Sequence, residues 1–116
     1  MEKTIFISGA MGMMGANLLE HLLNQGYKII SVDDFSGSDD VGKQHLLNHP
    51  NNTFYDLTIC EKNLEQLKQI TKGVSVVLHM ACFPTEGLSN VSPISVSKSI
   101  IEPTTTLAVC CAENKI

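Results

Sequence analysis

The chain of 116 residues contains no arginine and no tryptophan, and its eight basic residues are all lysine. The net charge is −4 and charged residues make up only 17%. Nucleic-acid binders normally present a basic patch with arginines among its readers, so this balance excludes that partner class. Without arginine there is also no planar, bidentate clamp for a phosphate. A bound phosphate would have to be held by backbone N–H groups, by lysine or by a partner. No apolar run approaches the roughly 20 residues that cross a bilayer. Met1-Glu2-Lys3-Thr4 leads straight into an apolar run with no leader pattern. A soluble, cytoplasmic chain without a membrane partner is expected. Cys60, Cys82, Cys110 and Cys111 show neither C-x-x-C nor zinc-finger spacing. They are expected to be free, buried thiols in a reducing compartment. His45 and His49 lie four apart but lack an accompanying H-E-x-x-H pattern, and no metal site is expected.

What is present is an alternation of strand and helix signals. At 43% apolar residues the composition is that of a chain that folds around a core. Thr4–Ser8 is short, β-branched and aromatic, the mark of a buried strand. Over Met13–Gln25, Met14, Leu18 and Leu22 recur at helical spacing, and Gly26 follows as a natural terminator. Lys28–Asp33 reads as a second strand, Ser36–Asp40 as turn chemistry, Gln44–Asn48 as a short helix and Thr53–Leu57 as a third strand. Thr58 and Glu61 form a T-x-x-E capping box for a helix with Leu64, Leu67 and Ile70 inward. Lys62, Lys68 and Lys72 are placed on its solvated face, and Gly73 closes it. Val74–Met80 is a nearly unbroken apolar strand, as expected where both faces are covered. A helix over Pro93–Asn114 should kink or restart at Pro103. These signals predict a Rossmann-type α/β fold. Its partial parallel sheet has about four strands in order 3-2-1-4, with helices on both faces, in one domain over residues 1–116.

The strongest local pattern is Ser8–Gly15, SGAMGMMG, which leaves a strand and opens a helix. Gly9 allows the tight turn, Gly12 lets backbone approach a pyrophosphate, and Gly15 lets the helix pack close to the sheet. The free N–H groups near Met13 and Met14 would face the phosphates with the helix dipole behind them. Asp33 ends the second strand, where an acid accepts hydrogen bonds from adenosine ribose hydroxyls and repels a 2′-phosphate. Asp34 adds charge beside it or caps a turn. NAD is therefore expected over NADP as the small-molecule partner.

Taken together, SGAMGMMG, VDDFSGS, FYDL and VVLHMAC resemble the extended short-chain dehydrogenase/reductase family. The likeness is nearest to nucleotide-sugar epimerases and dehydratases of the UDP-glucose 4-epimerase type. It extends over essentially the whole chain but only over the first part of a family member. It implies that Gly9, Gly12 and Gly15 are the family's glycine triplet, with Met13 and Met14 replacing its aromatic-aliphatic pair. It further implies that Asp33 binds ribose, that Asp56 and Leu57 sit by the adenine amino group, and that Ala81 and Cys82 lie along the cofactor. His79 is read as a hydrogen-bonded core histidine.

The family's chemistry needs a Tyr-x-x-x-Lys pair. Here Tyr27 is followed four later by Ser31, and Tyr55 by Ile59, so no catalytic residue is assigned. Val96, Ile100 and Pro103 stand where the family has Tyr, Asn and Gly. The leading expectation is the NAD-binding portion of an epimerase/dehydratase-like protein, inactive by itself. The alternatives are a stand-alone module for a dinucleotide or adenine nucleotide, or a structural remnant. An apolar fourth strand at the sheet edge predicts a homo-oligomer through that edge or the last helix, or a second chain carrying the missing half.

Overall fold

The computed structural model describes residues 3–82 and 88–116, with the side chains of residues 88 and 89 left aside. The expectation that no leader pattern opens the chain falls partly on Met1 and Glu2, which lie outside the described residues. Four strands, β1 (Thr4–Ser8), β2 (Lys28–Asp33), β3 (Asn52–Asp56) and β4 (Val76–His79), form one parallel sheet in the order β3-β2-β1-β4. Between them run α1 (Met13–Asn24), α2 (Gln44–Leu47) and α3 (Leu64–Ile70). The segments α4 (Leu88–Val91) and α5 (Pro93–Asn114) follow β4. Among the described residues no helix is long and apolar enough to cross a membrane.

Strand alternation divides the core in two. Ile5, Ile7 and Ile29 pack with Leu19, Leu23 and Leu46 of α1 and α2, whereas Phe6 and Val32 pack with Leu67, Leu107 and Cys110 of α3 and α5. Helices thus cover both faces. Phe6, Ile7, Ile29 and Val32 are fully buried, each contributing about 1.5–3 kcal/mol.

Several local expectations are corrected. Periodicity puts Met14, Leu18 and Leu22 inward on α1, but the structure buries Gly15, Ala16, Leu19 and Leu23. Leu18 and Leu22 only flank that stripe, and Met14 is exposed. Gly15 is the point of closest approach, since a Cβ there would lie 2.0 Å from the Gly9 carbonyl oxygen. Leu19 and Leu23 follow it at i+4 and i+8.

The capping box does not form. Thr58 Oγ1 donates instead to Asp34 Oδ2 (3.0 Å), and Glu61–Asn63 makes a 3₁₀ turn ahead of α3. Strand β4 is shorter than the apolar run and only partly covered, because it pairs with β1 alone among the described residues.

Helix α5 runs through Pro103 as one element, with Pro103 buried rather than in a new first turn. Its C-terminal half is anchored to α3. Asn114 Nδ2 donates to the Lys68 carbonyl (3.0 Å) and to Thr71 Oγ1 (2.9 Å), and Lys68 Nζ bridges Glu65 (3.2 Å) and Glu113 (3.0 Å). These contacts, with Leu107 and Cys110 in the core, offset the roughly 3 kcal/mol of an interior proline. Lys68 is thus a tether between helices and not part of a free solvated face. The cysteines are free as expected, but Cys82 is exposed and only Cys110 is buried.

Candidate functional site

The three glycines do different things. Gly9 leaves β1 at φ +65°, and a Cβ there would meet the Ala81 backbone at 2.7 Å. Both its conformation and its closeness to the end of β4 demand glycine. Gly15 is demanded by its contact with Gly9. Gly12 has φ −74° and ψ 172°, extended backbone open to any residue, and its Cβ would come no closer than 3.4 Å to protein. Nothing inside the chain requires a glycine there, yet Gly12 lines an open cleft. It is also the N-cap of α1, which has no side-chain cap. Among the described residues no acceptor meets the N–H groups of Met13, Met14 or Gly15. These unpaired donors at the positive end of a 12-residue helix suit an anion.

Asp33 organises the opposite wall. Its Oδ2 accepts the Met11 N–H (2.9 Å). Its Oδ1 accepts the Phe35 N–H (2.8 Å) and the Ser38 hydroxyl (3.1 Å). A carboxylate has about four acceptor positions, so one remains on Oδ2. Phe35 adopts φ +60°, an unusual conformation for a bulky residue, and its ring packs on Phe54 with centroids 5.7 Å apart. That left-handed residue turns the chain so that Ser36, Gly37 and Ser38 form part of the cleft wall.

Asp34 accepts the Ser36 N–H (3.0 Å) and the Thr58 hydroxyl. Burial is the largest single influence on its carboxyl and raises its pKa. The hydrogen bonds from Ser36 and Thr58 together outweigh it and hold the group below the ordinary value. Asp34 therefore pins the loop after β2 to the loop after β3.

Beneath the cleft a polar chain joins β1, β4 and α5. Ser8 Oγ accepts the N–H groups of Met80 (2.9 Å) and Ala81 (3.2 Å), so its own proton goes to His79 Nδ1 (2.6 Å). His79 must then carry its proton on Nε2 and donate to Thr104 Oγ1 (3.1 Å), which donates to the Ile100 carbonyl (2.6 Å). Burial pushes the imidazole below its ordinary pKa, consistent with this neutral tautomer. The chain fixes the Met80-Ala81 backbone against which Gly9 is packed.

The cleft lies at the carboxyl ends of the strands, where α/β sheets place their ligands. It encloses about 660 Å³, including space open to solvent. It brings together Gly9, Gly12, Asp33, Asp34, Leu57, Ala81 and Cys82. Gly15 stays in the packing beneath. Met13 and Met14 point their side chains to solvent, 80% and 65% exposed, leaving only their backbone near the site. Met11, the remaining methionine of the loop, is fully buried in the core. Asp56 is exposed and does not line the cleft, although its neighbours Leu57, Thr58 and Ile59 do.

Three kinds of wall residue went unassigned in sequence reasoning. Ser36 and Ser38 follow Asp33 directly, and their hydroxyls were a usable signal. Met80 adjoins the assigned Ala81. Lys98, Ser99 and Pro103 arrive only through the packing of α5, for which no local pattern exists. Val96 and Ile100 line a separate shallow apolar groove with Pro93, Ser97 and Ile101. His45 is engaged elsewhere, with Nε2 3.0 Å from Glu20 Oε1, tying α2 to α1.

Comparison with known proteins decides the family. The model of the NAD dependent epimerase/dehydratase family matches residues 5–116. The chain belongs to this family. A Schizosaccharomyces pombe relative, "Bifunctional protein gal10", is 29% identical over 119 residues, covering 99% of this chain and 16% of that protein. Two solved structures of similar fold are a UDP-N-acetylglucosamine 4-epimerase from Methanobrevibacter ruminantium and the Bordetella bronchiseptica enzyme WbmH in complex with NAD+. The first has TM-score 0.86 and 22% identity, covering 99% of this chain and 36% of that one. The second has TM-score 0.81 and 23% identity, covering 100% and 37%. The chain thus spans about a sixth of that curated relative and about a third of these structures. The epimerase/dehydratase family is NAD-dependent, and the cleft at the carboxyl ends of the strands lies within the matched residues.

Proposed function

We propose that this chain holds the adenosine and pyrophosphate part of NAD for an epimerase/dehydratase-type protein acting on a nucleotide-linked sugar in the cytoplasm. The observation that carries the reading is Gly12, a glycine with no internal reason to be one, facing a cleft beside unpaired helix N–H groups. The donors near Met13 and Met14 would take the pyrophosphate, and Asp33 would take ribose through its remaining acceptor position. A second ribose hydroxyl would replace the Ser38 hydroxyl on Oδ1. Leu57, with Asp56 beside it, would face adenine, and Ala81 and Cys82 would flank the rest. NAD is favoured over NADP because Asp33 and Asp34 both oppose a 2′-phosphate. When bound, the dinucleotide supplies the hydride acceptor, while this chain's residues bind and orient it.

Neither tyrosine is followed by lysine at the fourth position, so turnover requires residues beyond these 116. The alternative reading is a non-catalytic dinucleotide-binding module. We also propose self-association or pairing with a second chain through β4 and α5. The support is an edge strand with Val76 42% exposed and a helix with Ile94 72% and Ile101 63% exposed.

Calorimetric titration with NAD and NADP tests the binding reading. NAD should bind more tightly than NADP, and no heat with either at millimolar ligand refutes it. Sedimentation at tens of micromolar tests self-association, and a monomer there rules that arm out.

A further inference from the structure

The glycine loop is pinned at more points than its own motif provides. Ala10 N–H donates to the Val32 carbonyl (3.2 Å), Met11 N–H to Asp33 (2.9 Å) and Gly12 N–H to the Gly9 carbonyl (3.1 Å). One backbone group in the middle of the turn, the Met11 carbonyl, points away from these partners. It is met by the ammonium of Lys43, which also donates to the Asp39 carbonyl (2.8 Å). Lys43 lies 32 positions from Met11 and stands as the N-cap of α2, at the far end of the loop that follows Asp33. The same loop therefore grips the Met11 residue from both sides, the N–H through Asp33 and the C=O through Lys43. With the Met11 side chain fully buried, every polar group of this residue is fixed before a ligand arrives.

We infer that Lys43 is a positioning residue, a strap that pre-organises the glycine loop for the pyrophosphate and does not itself touch the dinucleotide. This rests on the binding reading above and adds a residue that neither the glycine pattern nor the ribose acid contains. The geometry explains why the strap is a lysine. A single ammonium carries three donors on a long flexible stem and can satisfy two carbonyls on different segments at once. It is also committed to them. Both observed partners are neutral backbone oxygens, and Lys43 is absent from the residues lining the cleft, so it is not offered to a 2′-phosphate. Fixing a loop in its bound conformation increases affinity by removing the ordering cost of binding.

The test compares wild type, Lys43→Met and Lys43→Arg in the full 116-residue chain, with two readouts. The first is ligand-free hydrogen exchange at the Met11 and Gly12 amides, set against the amides of Leu19 and Leu23 in α1. Lys43→Met should speed exchange in the loop and leave the helix unchanged, and Lys43→Arg should restore much of the protection. The second is titration with NAD and NADP. Loss of a charge-assisted bond should weaken NAD by about tenfold, with NADP weakened by the same factor, while the cooperative thermal transition is kept. Unchanged loop exchange in Lys43→Met overturns the strap, as does a loss confined to NADP, which would make Lys43 a phosphate ligand. If wild type binds neither dinucleotide but loop exchange still rises in Lys43→Met, the binding reading fails and the strap stands.

Discussion

Alanine at Gly12 and alanine at Gly15 should fail in opposite ways. At Gly12 the added methyl meets protein only at 3.4 Å, and the backbone is in a conformation any residue adopts. Alanine is a poorer N-cap than glycine by several tenths of a kcal/mol up to about 1. Restricting the unfolded chain returns about 0.4–1 kcal/mol. The net effect is about zero, and the melting midpoint should move by no more than about 3 °C. In the proposed binding mode the methyl nevertheless projects where the pyrophosphate would approach the helix N–H groups. Lengthening even one charge-assisted hydrogen bond should cost about tenfold or more in NAD affinity. At Gly15 the methyl would sit 2.0 Å from the Gly9 carbonyl oxygen and 2.8 Å from its carbon. Helix and loop must part, an overpacking cost of about 1–3 kcal/mol, or a midpoint lowered by about 4–15 °C. Circular-dichroism melts and calorimetric titration of the two variants separate fold from ligand. A Gly12→Ala protein that binds NAD as wild type does would refute the assignment of the cradle. A Gly15→Ala protein as stable as wild type would refute the packing argument.

Other outcomes follow from the same geometry. His79 is held neutral, with its pKa below the ordinary value of about 6.5. Between the folded and unfolded values the unfolded chain binds more protons, so stability is full above about pH 6.5 and falls as pH drops through that window. Urea midpoints at pH 7.5 and 5.5 should show this fall, and His79→Gln should flatten it. Cys82 is exposed in the cleft wall, whereas burial pushes the Cys110 thiol up, with the neighbouring Cys111 adding to it. Alkylation followed by mass spectrometry should modify Cys82 first and Cys110 last, and saturating NAD should slow Cys82 alone. Asp33→Asn should weaken NAD more than NADP, narrowing the preference, since the variant no longer repels a 2′-phosphate. An unchanged NAD/NADP ratio would remove Asp33 from the discrimination.

Most of the frame was legible because strand signals here are strong and local. Thr4–Ser8 and Lys28–Asp33 carry β-branched and aromatic residues in short runs, the first ending at Gly9 and the second starting just after Gly26-Tyr27. The structure places both strands with those bounds. Strand order follows from crossover handedness once the alternation is seen. The errors came where a tertiary contact overrode a local rule. Gly15 turns α1 by one position relative to its leucines, because contact with Gly9 outweighs an apolar Met14. Thr58 gives its hydroxyl to Asp34 instead of its own helix. Pro103 stays inside α5 because α3 holds that helix from the side. In the site, the glycine loop and Asp33 could be read from spacing. The wall formed by Lys98, Ser99 and Pro103 could not, since only folding brings α5 there. Lys43 was invisible for the same reason, as a lysine in a polar loop looks solvated until its distant carbonyl partner is placed.

Strand β1 occupies an inner position of the sheet, and Ser8 at its end bonds His79, 71 positions later. The order in which the molecule assembles follows from this. The β1-α1-β2-β3 portion closes loops of modest length. β4 can join β1 only after a much longer stretch has been brought back, a slower and more costly closure. Gly9, Asp33 and Leu57 belong to the early portion, while Ala81, Cys82 and Pro103 belong to the late one. A molecule lodged between them fastens the last-arriving segment to the first. It would therefore slow the detachment of β4 and α5, and so the earliest partial unfolding, more than it stiffens the three-strand remainder.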